Sequence, residues 1–241
     1  MDRTIDRPPF EVDPKTQLPI GPRTSSDPAA TPLPVVLQGQ FVRLEPLEAR
    51  HDADLLQAAS GPSALASYRY LADQPPRSIE DVAAWREGCA HDDTRLGWAV
   101  VDTSTGRAVG YQFLMRIRSA FRSIEIGNVR FGPELQRTPG ATEAVYLFAR
   151  HVFDDLGHRR FEWKCDALNA PSCRAATRFG FTYEGTFRRD MILKGRSRDT
   201  AWFSMIDEDW PRVRAGFEAW LSPANLQNGG IQVRSLEACR D

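Results

Sequence analysis

The rhythm of apolar and polar residues changes several times along the chain, and each change marks an element. Up to about residue 40 there is no rhythm, because prolines from Pro8-Pro9 through Pro14, Pro19, Pro22, Pro28, Pro32 and Pro34 interrupt every run. Proline fixes φ and lacks an amide proton, so this spacing excludes a helix or a central strand. An extended arm is expected, either disordered or laid over the surface, with Phe10, Leu18 and Ile20 as its anchors. From Phe41 to Leu47 apolar and polar residues alternate as in a half-buried strand, and the segment to Ser60 then repeats apolar residues at helical spacing until Gly61-Pro62. A second helix is expected over Ile79 to Ala90 with Ser78 as its cap. Three strands follow, Gly97 to Asp102, Ala108 to Ile117 and Ile124 to Phe131, the first two joined by a TSTG turn. An amphipathic helix from Pro139 to Leu156 stops at Gly157, a residue suited to a left-handed helix end. Strand Phe161 to Ala167, helix Ala170 to Phe179 with Gly180 after it, and strands Tyr183 to Leu193 and Thr200 to Ile206 around Lys194-Gly195 complete the pattern. Beyond Asp207, residues Trp210, Phe217, Trp220 and Leu221 suit a short amphipathic helix, followed by a loose tail.

This order predicts an α/β chain of the α+β mixed kind, a mixed sheet with helices on both faces. Its 241 residues, 41% hydrophobic and 26% charged, suffice for a real core. The net charge of -1 provides no global field to recruit nucleic acid or an anionic membrane. Four scattered cysteines form neither a disulfide framework nor a zinc motif, and the histidines His51, His91, His151 and His158 have no metal spacing, so no metal is expected. His151 and Asp155 read as a surface pair, and Cys165 as a small buried residue of the sheet. No apolar run reaches membrane-spanning length and the N-terminus lacks a signal-peptide core, which makes a cytoplasmic location the default expectation.

The chemistry concentrates at QRTPGATEA, Gln136 to Ala144, directly after a strand. A helix N-terminus offers unsatisfied N–H donors and the positive end of a dipole to an anion. Thr138 would cap the helix, Pro139 would occupy its first position, Gly140 and Ala141 would leave backbone uncovered, and Arg137 would add a cationic fork. Taken alone, the stretch reads rather as an ordinary helix start with Arg137 as a surface charge.

Further motifs follow in order. IGNVRFGPELQRTPGATEA (Ile126 to Ala144), NAPS (Asn169 to Ser172) and RFGFTYEGTFR (Arg178 to Arg188) together resemble the GNAT acetyltransferase superfamily, and within it the Rim-type branch that includes N-terminal acetyltransferases of ribosomal proteins. The likeness spans roughly Gln40 to Trp210. It implies a central, mostly antiparallel mixed sheet of about seven strands, with a Pro-rich arm at 1–39, the acyltransferase domain at 40–210, and a C-terminal helix and tail at 211–241 packing on it. It also implies transfer of an acyl group, foremost acetyl from acetyl-CoA, to a primary amine of a small molecule or protein N-terminus, by direct attack in a ternary complex. A non-catalytic acyl-CoA sensor is the alternative. A homodimer is one option for an oligomeric state that the sequence leaves open.

By the same resemblance, the backbone of Val129 and Phe131 would pair with the pantetheine arm, and Gln136, Arg137, Thr138, Gly140, Ala141 and Thr142 would surround the pyrophosphate. Pro139 replaces the family's middle glycine and removes one donor. A shifted register, Arg137-x-x-Gly140-x-Thr142, restores a glycine but misaligns ATEA. Asn169 and Ser172 would lie along the cofactor near the thiol, Asn169 being equally a helix cap. Acyl transfer needs a base for the amine and an acid for the thiolate. Ser172 is the candidate acid and Glu125 a candidate base. Met191 stands where the branch carries a glutamate, with Asp190 adjacent as a second candidate, while Glu184 reads as structural. Arg188, Arg189, Lys194, Arg196 and Arg198 form a basic hairpin, either a solvated end or a guide for anionic groups, with Trp202 and Phe203 bordering a groove or filling the core.

Overall fold

The structure, a computed structural model, describes residues 9–61, 64–92, 94–227 and 231–240. Pro8, and Pro62 of the expected Gly61-Pro62 stop, lie outside these residues. In chain order the strands are β1 (Glu11–Val12), β2 (Pro19–Ile20), β3 (Leu37–Gln38), β4 (Val42–Pro46), β5 (Arg95–Asp102), β6 (Ala108–Arg118), β7 (Ser123–Phe131), β8 (Arg160–Asp166), β9 (Thr182–Leu193), β10 (Arg196–Ile206), β11 (Leu226–Gln227) and β12 (Ile231–Gln232). The helices are α1 (Asp52–Ala59), α2 (Ala64–Ser67), α3 (Ile79–Ala90), α4 (Pro139–Arg150), α5 (Ala170–Arg178) and α6 (Trp210–Leu221).

Eight strands form one sheet in the order β3-β4-β5-β6-β7-β8-β10-β9. Every neighbouring pair is antiparallel except β7 and β8, which run parallel over four register pairs from Ser123–Arg160 to Ile126–Trp163. The seven alternating runs are all strands of this sheet. The eighth, β3, has two residues and lies at the sheet edge behind the prolines, where the alternation is too short to register.

The anchors expected for the arm are not its anchors. Phe10, Leu18 and Ile20 are 50, 62 and 43% exposed, beside the small β1–β2 hairpin. The segment is held instead through backbone, Ala29 N donating to Ser119 O at 3.0 Å and Ala30 N to Leu156 O at 2.9 Å, while Val35 O accepts from Trp98 Nε1 at 2.7 Å. Backbone groups carry no side-chain signature, which is why apolar content pointed to the wrong residues.

Helix α4 is the hub. Residues Gly140 to Ala149 are buried throughout, since the helix is covered by the sheet on one side and by α6 on the other, where the Tyr146 ring lies 5.5 Å from that of Phe217. The Glu143 carboxylate accepts from the amides of Gln40, Phe41 and Val42 at 2.7, 2.6 and 2.8 Å, fastening α4 to the start of β4. The expected helix to Leu156 continues past Arg150 as a π-helical turn over His151–Asp155, and Gly157 ends it at φ 70°. His151 does pair with Asp155, Nδ1 to Oδ2 at 2.8 Å, but its ring is buried rather than on the surface. Helices α1 and α3 cover the opposite face of the sheet, around Ala99, Val101, Tyr111 and Phe113.

Candidate active site

Parallel pairing of β7 with β8 stops at Ile126–Trp163, while β7 itself runs on to Phe131. The β8-facing edge of the later part of β7, which includes Val129 and Phe131, is thereby open to an extended ligand. Asn128 takes φ 47° beside a register shift between β6 and β7, a bulge of the kind that ends pairing and re-aims a strand. The helices that follow these two strands both begin near the opening.

At α4, Thr138 has an extended backbone and its Oγ1 accepts from Ala141 N at 3.3 Å, with Pro139 in the first turn, as the sequence implied. Arg137 adopts φ 62° and is exposed, with no ion pair among the described residues. Gln136 Nε2 donates to Phe131 O at 2.8 Å, tying the loop to the strand it leaves. Gly140 and Ala141 are not the uncovered backbone expected of them: both are buried, and a β-carbon at Gly140 would meet Val42 Cγ1 at 2.9 Å. The Thr142 hydroxyl accepts from Arg178 at 3.0 Å. That contact brings a cation from α5 to the start of α4, a residue that sequence reasoning passed over because nothing local to Arg178 announces it.

At α5, Asn169 Oδ1 accepts from Ser172 N at 3.2 Å, so the asparagine caps the helix. Ser172 Oγ accepts from Trp163 Nε1 at 3.1 Å. This occupies a lone pair of the hydroxyl, whose proton is directed to the neighbouring Cys165 sulfur. Cys165 lies buried 3.6 Å from the Cys173 sulfur, and burial pushes its thiol up to about 12, which makes it an inert residue of the sheet.

Glu125 lies on the other face of β7 and is 2% exposed. Its Oε2 is 3.3 Å from Lys164 Nζ and 3.5 Å from Arg116 Nε, and Glu162 lies opposite it in register. Burial raises its pKa above the usual carboxylate value, and Lys164 followed by Arg116 opposes that rise without cancelling it. Trp202 closes this cluster, with the Arg116 guanidinium at 5.2 Å and the Lys164 ammonium at 5.3 Å from its ring. Phe203 packs in the core instead. Gly127 keeps space beside the carboxylate, because a β-carbon there would stand 2.9 Å from Glu125 Oε1. Asp190 is exposed on β9, the outer strand of the sheet, without an ion pair among the described residues.

Residues 42–182 match the family model of the acetyltransferase (GNAT) domain. The chain belongs to the GNAT acetyltransferase family. A GCN5-related N-acetyltransferase from Brucella melitensis is 44% identical over 89% of this chain and 98% of its own, with a TM-score of 0.87. A GNAT-family structure from Chromobacterium violaceum is 36% identical over 85% of this chain and 100% of its own, with a TM-score of 0.73. Spermidine N-acetyltransferase from Vibrio cholerae, in complex with CoA and spermine, is 17% identical over 72% of this chain and 99% of its own at a TM-score of 0.59, a likeness of fold alone. No curated protein matches the chain significantly. This GNAT protein is an acyl-CoA-dependent N-acetyltransferase. Among the described residues, no helix is long and apolar enough to cross a membrane.

Proposed function

We propose that this acetyltransferase moves the acetyl group of acetyl-CoA onto a primary amine of a small molecule or protein N-terminus, by direct attack within a ternary complex, and that it belongs to the Rim-type branch. The observation that carries the reading is the end of β7–β8 pairing at Ile126–Trp163, with the N-termini of α4 and α5 beyond it. The residues fit the donor. The open edge at Val129 and Phe131 suits the pantetheine amides, the Phe131 carbonyl itself being taken by Gln136 and Arg130, and the turn formed by Gln136, Arg137, Thr138, Gly140, Ala141 and Thr142 suits the pyrophosphate. Arg137, exposed and left-handed, stands where it can replace the amide that Pro139 lacks. Asn169 and Ser172 lie along the path towards the thiol.

Acetyl-CoA supplies the activated thioester carbonyl. Glu125 takes a proton from the acceptor's ammonium, directly or through water, and so frees the amine lone pair to attack, because burial makes it a stronger base than an exposed glutamate while Lys164 and Arg116 hold its orientation. Ser172, with Trp163 bound to its oxygen, keeps a proton for the departing thiolate. Asp190, exposed on the outer strand, is the weaker candidate for the base. Calorimetric titration with acetyl-CoA and a thiol-release assay over a panel of primary amines test the proposal. Saturable binding and amine-dependent release are expected, and absence of binding at millimolar acetyl-CoA overturns it.

A further inference from the structure

The floor of β6 continues from the Glu125 cluster into a cleft. Met115 and Phe113 lie opposite Glu125 and Gly127, and two residues further along the same face stands Tyr111. Above Tyr111 opens a cleft of about 630 Å³, walled by Leu55 of α1, Val82 and Trp85 of α3, and Tyr68 and Asp73 of the segment between α2 and α3. This size suits one drug-sized molecule. Trp85 lies 4.5 Å from the Tyr111 ring and 5.9 Å from that of Phe113, centroid to centroid. Burial, with Tyr68 adding to it, holds the Tyr111 phenol well above its ordinary pKa, so the cleft wall there is neutral. The hairpin tip of β9 and β10 closes over this segment, Lys194 Nζ donating to Tyr68 O at 3.0 Å and Asp73 O at 2.7 Å.

The charges are few and mostly engaged. Asp81 is occupied by Arg77, whose amide donates to Oδ2 at 2.8 Å. Arg130 stacks 5.1 Å over the Tyr68 ring. The Asp73 carboxylate has no ion pair among the described residues, although it lines the cleft. Apolar and aromatic walls with one uncommitted carboxylate recognise a single cation on an apolar body. A polycation would meet the Arg77 cation that lines the same space.

We infer that the acceptor is a primary amine carrying a bulky apolar, preferentially aromatic, body: the body fills the cleft against Trp85 and Tyr111, Asp73 draws in the ammonium, and the nitrogen is delivered along the β6 face to Glu125. This rests on the acetyl-transfer reading above and narrows it to a substrate class. Full-length protein is assayed by thiol release with phenethylamine, tryptamine, spermidine, an aminoglycoside and tetrapeptides beginning with Ser or Ala, while acetyl-CoA binding is measured separately by calorimetry. The arylalkylamines are expected to give the highest kcat/KM, at least about tenfold above the others. Trp85→Ala and Asp73→Asn are each expected to raise the arylalkylamine KM at least about tenfold with the acetyl-CoA Kd unchanged. Asp73, half-buried at the cleft wall and exchanged for a side chain of equal size, keeps the test decisive if the Trp85 variant does not fold. Preference for spermidine, the aminoglycoside or a peptide overturns the inference, as does acetyl-CoA binding with no arylalkylamine turnover or an unchanged KM in the Asp73 variant. Failure of acetyl-CoA to bind overturns the acetyl-transfer reading instead.

Discussion

Glu125 combines two properties that seldom coincide, near-complete burial and two cations within 3.5 Å. Because burial dominates and raises its pKa, the carboxylate form needed by a base is lost at higher pH than for an exposed glutamate. The acid limb of kcat/KM is therefore expected above pH 4.5, activity falling as pH drops through it, and a pH-rate profile checks this. Glu125→Gln is expected to lower kcat about 10² to 10⁴-fold, the range for a lost general base, with the acetyl-CoA Kd retained. Arg137→Ala is expected to weaken acetyl-CoA binding by roughly 1 to 3 kcal/mol, the worth of a charge-assisted hydrogen bond, read by calorimetry; an unchanged Kd would remove Arg137 from the donor site. At this scale the sequence was informative where chemistry is local. Thr138 and Asn169 announce themselves as caps because the hydroxyl or amide and its target amide are three residues apart. Lys164, Arg116, Trp163 and Arg178 act on partners from other elements, and no spacing encodes that.

Between elements, Glu184 behaves as a staple. Arg160 of β8 donates to both of its oxygens, at 2.7 and 2.6 Å, and Ser204 of β10 donates to Oε1 at 2.7 Å, so three neighbouring strands meet at one side chain of β9. The Arg160 hydrogen bonds are the main cause that lowers its pKa, and Ser204 adds to them. A lowered folded-state pKa contributes stability above the unfolded value, lost as pH falls through the folded value. Glu184→Gln is accordingly expected to cost about 1 kcal/mol at neutral pH, discounted for partial exposure. Denaturant melts should show the difference from the parent shrinking once the pH passes below that of an ordinary carboxylate. A constant difference would mean the loss is one of packing. Read from sequence, this residue was structural by family likeness, but its three-strand role depends on the order β8-β10-β9, which places a sequence-later strand between two earlier ones.

For the whole molecule, the alternating runs disclosed the layers because period-two and period-3.6 patterns report which face is buried. They were silent on the β3 edge, the small β1–β2 and β11–β12 hairpins and the seating of the arm, where two-residue strands and backbone bonds do the holding. They were equally silent on the cleft above Tyr111, assembled from α1, α3, β6 and the segment between α2 and α3. Lys194 in the β9–β10 hairpin tip has a kinetic consequence. The two halves of the sheet share only four parallel register pairs between β7 and β8, and Lys194 fastens the β9–β10 end to the segment at Tyr68 and Asp73. It acts as a latch on a short seam, beside the wall of the cleft above Tyr111. Lys194→Met is expected to leave the fold intact and to raise hydrogen exchange over residues 68–76. If product departure limits turnover, that variant will turn over faster while holding its acceptor more loosely, trading residence time for speed.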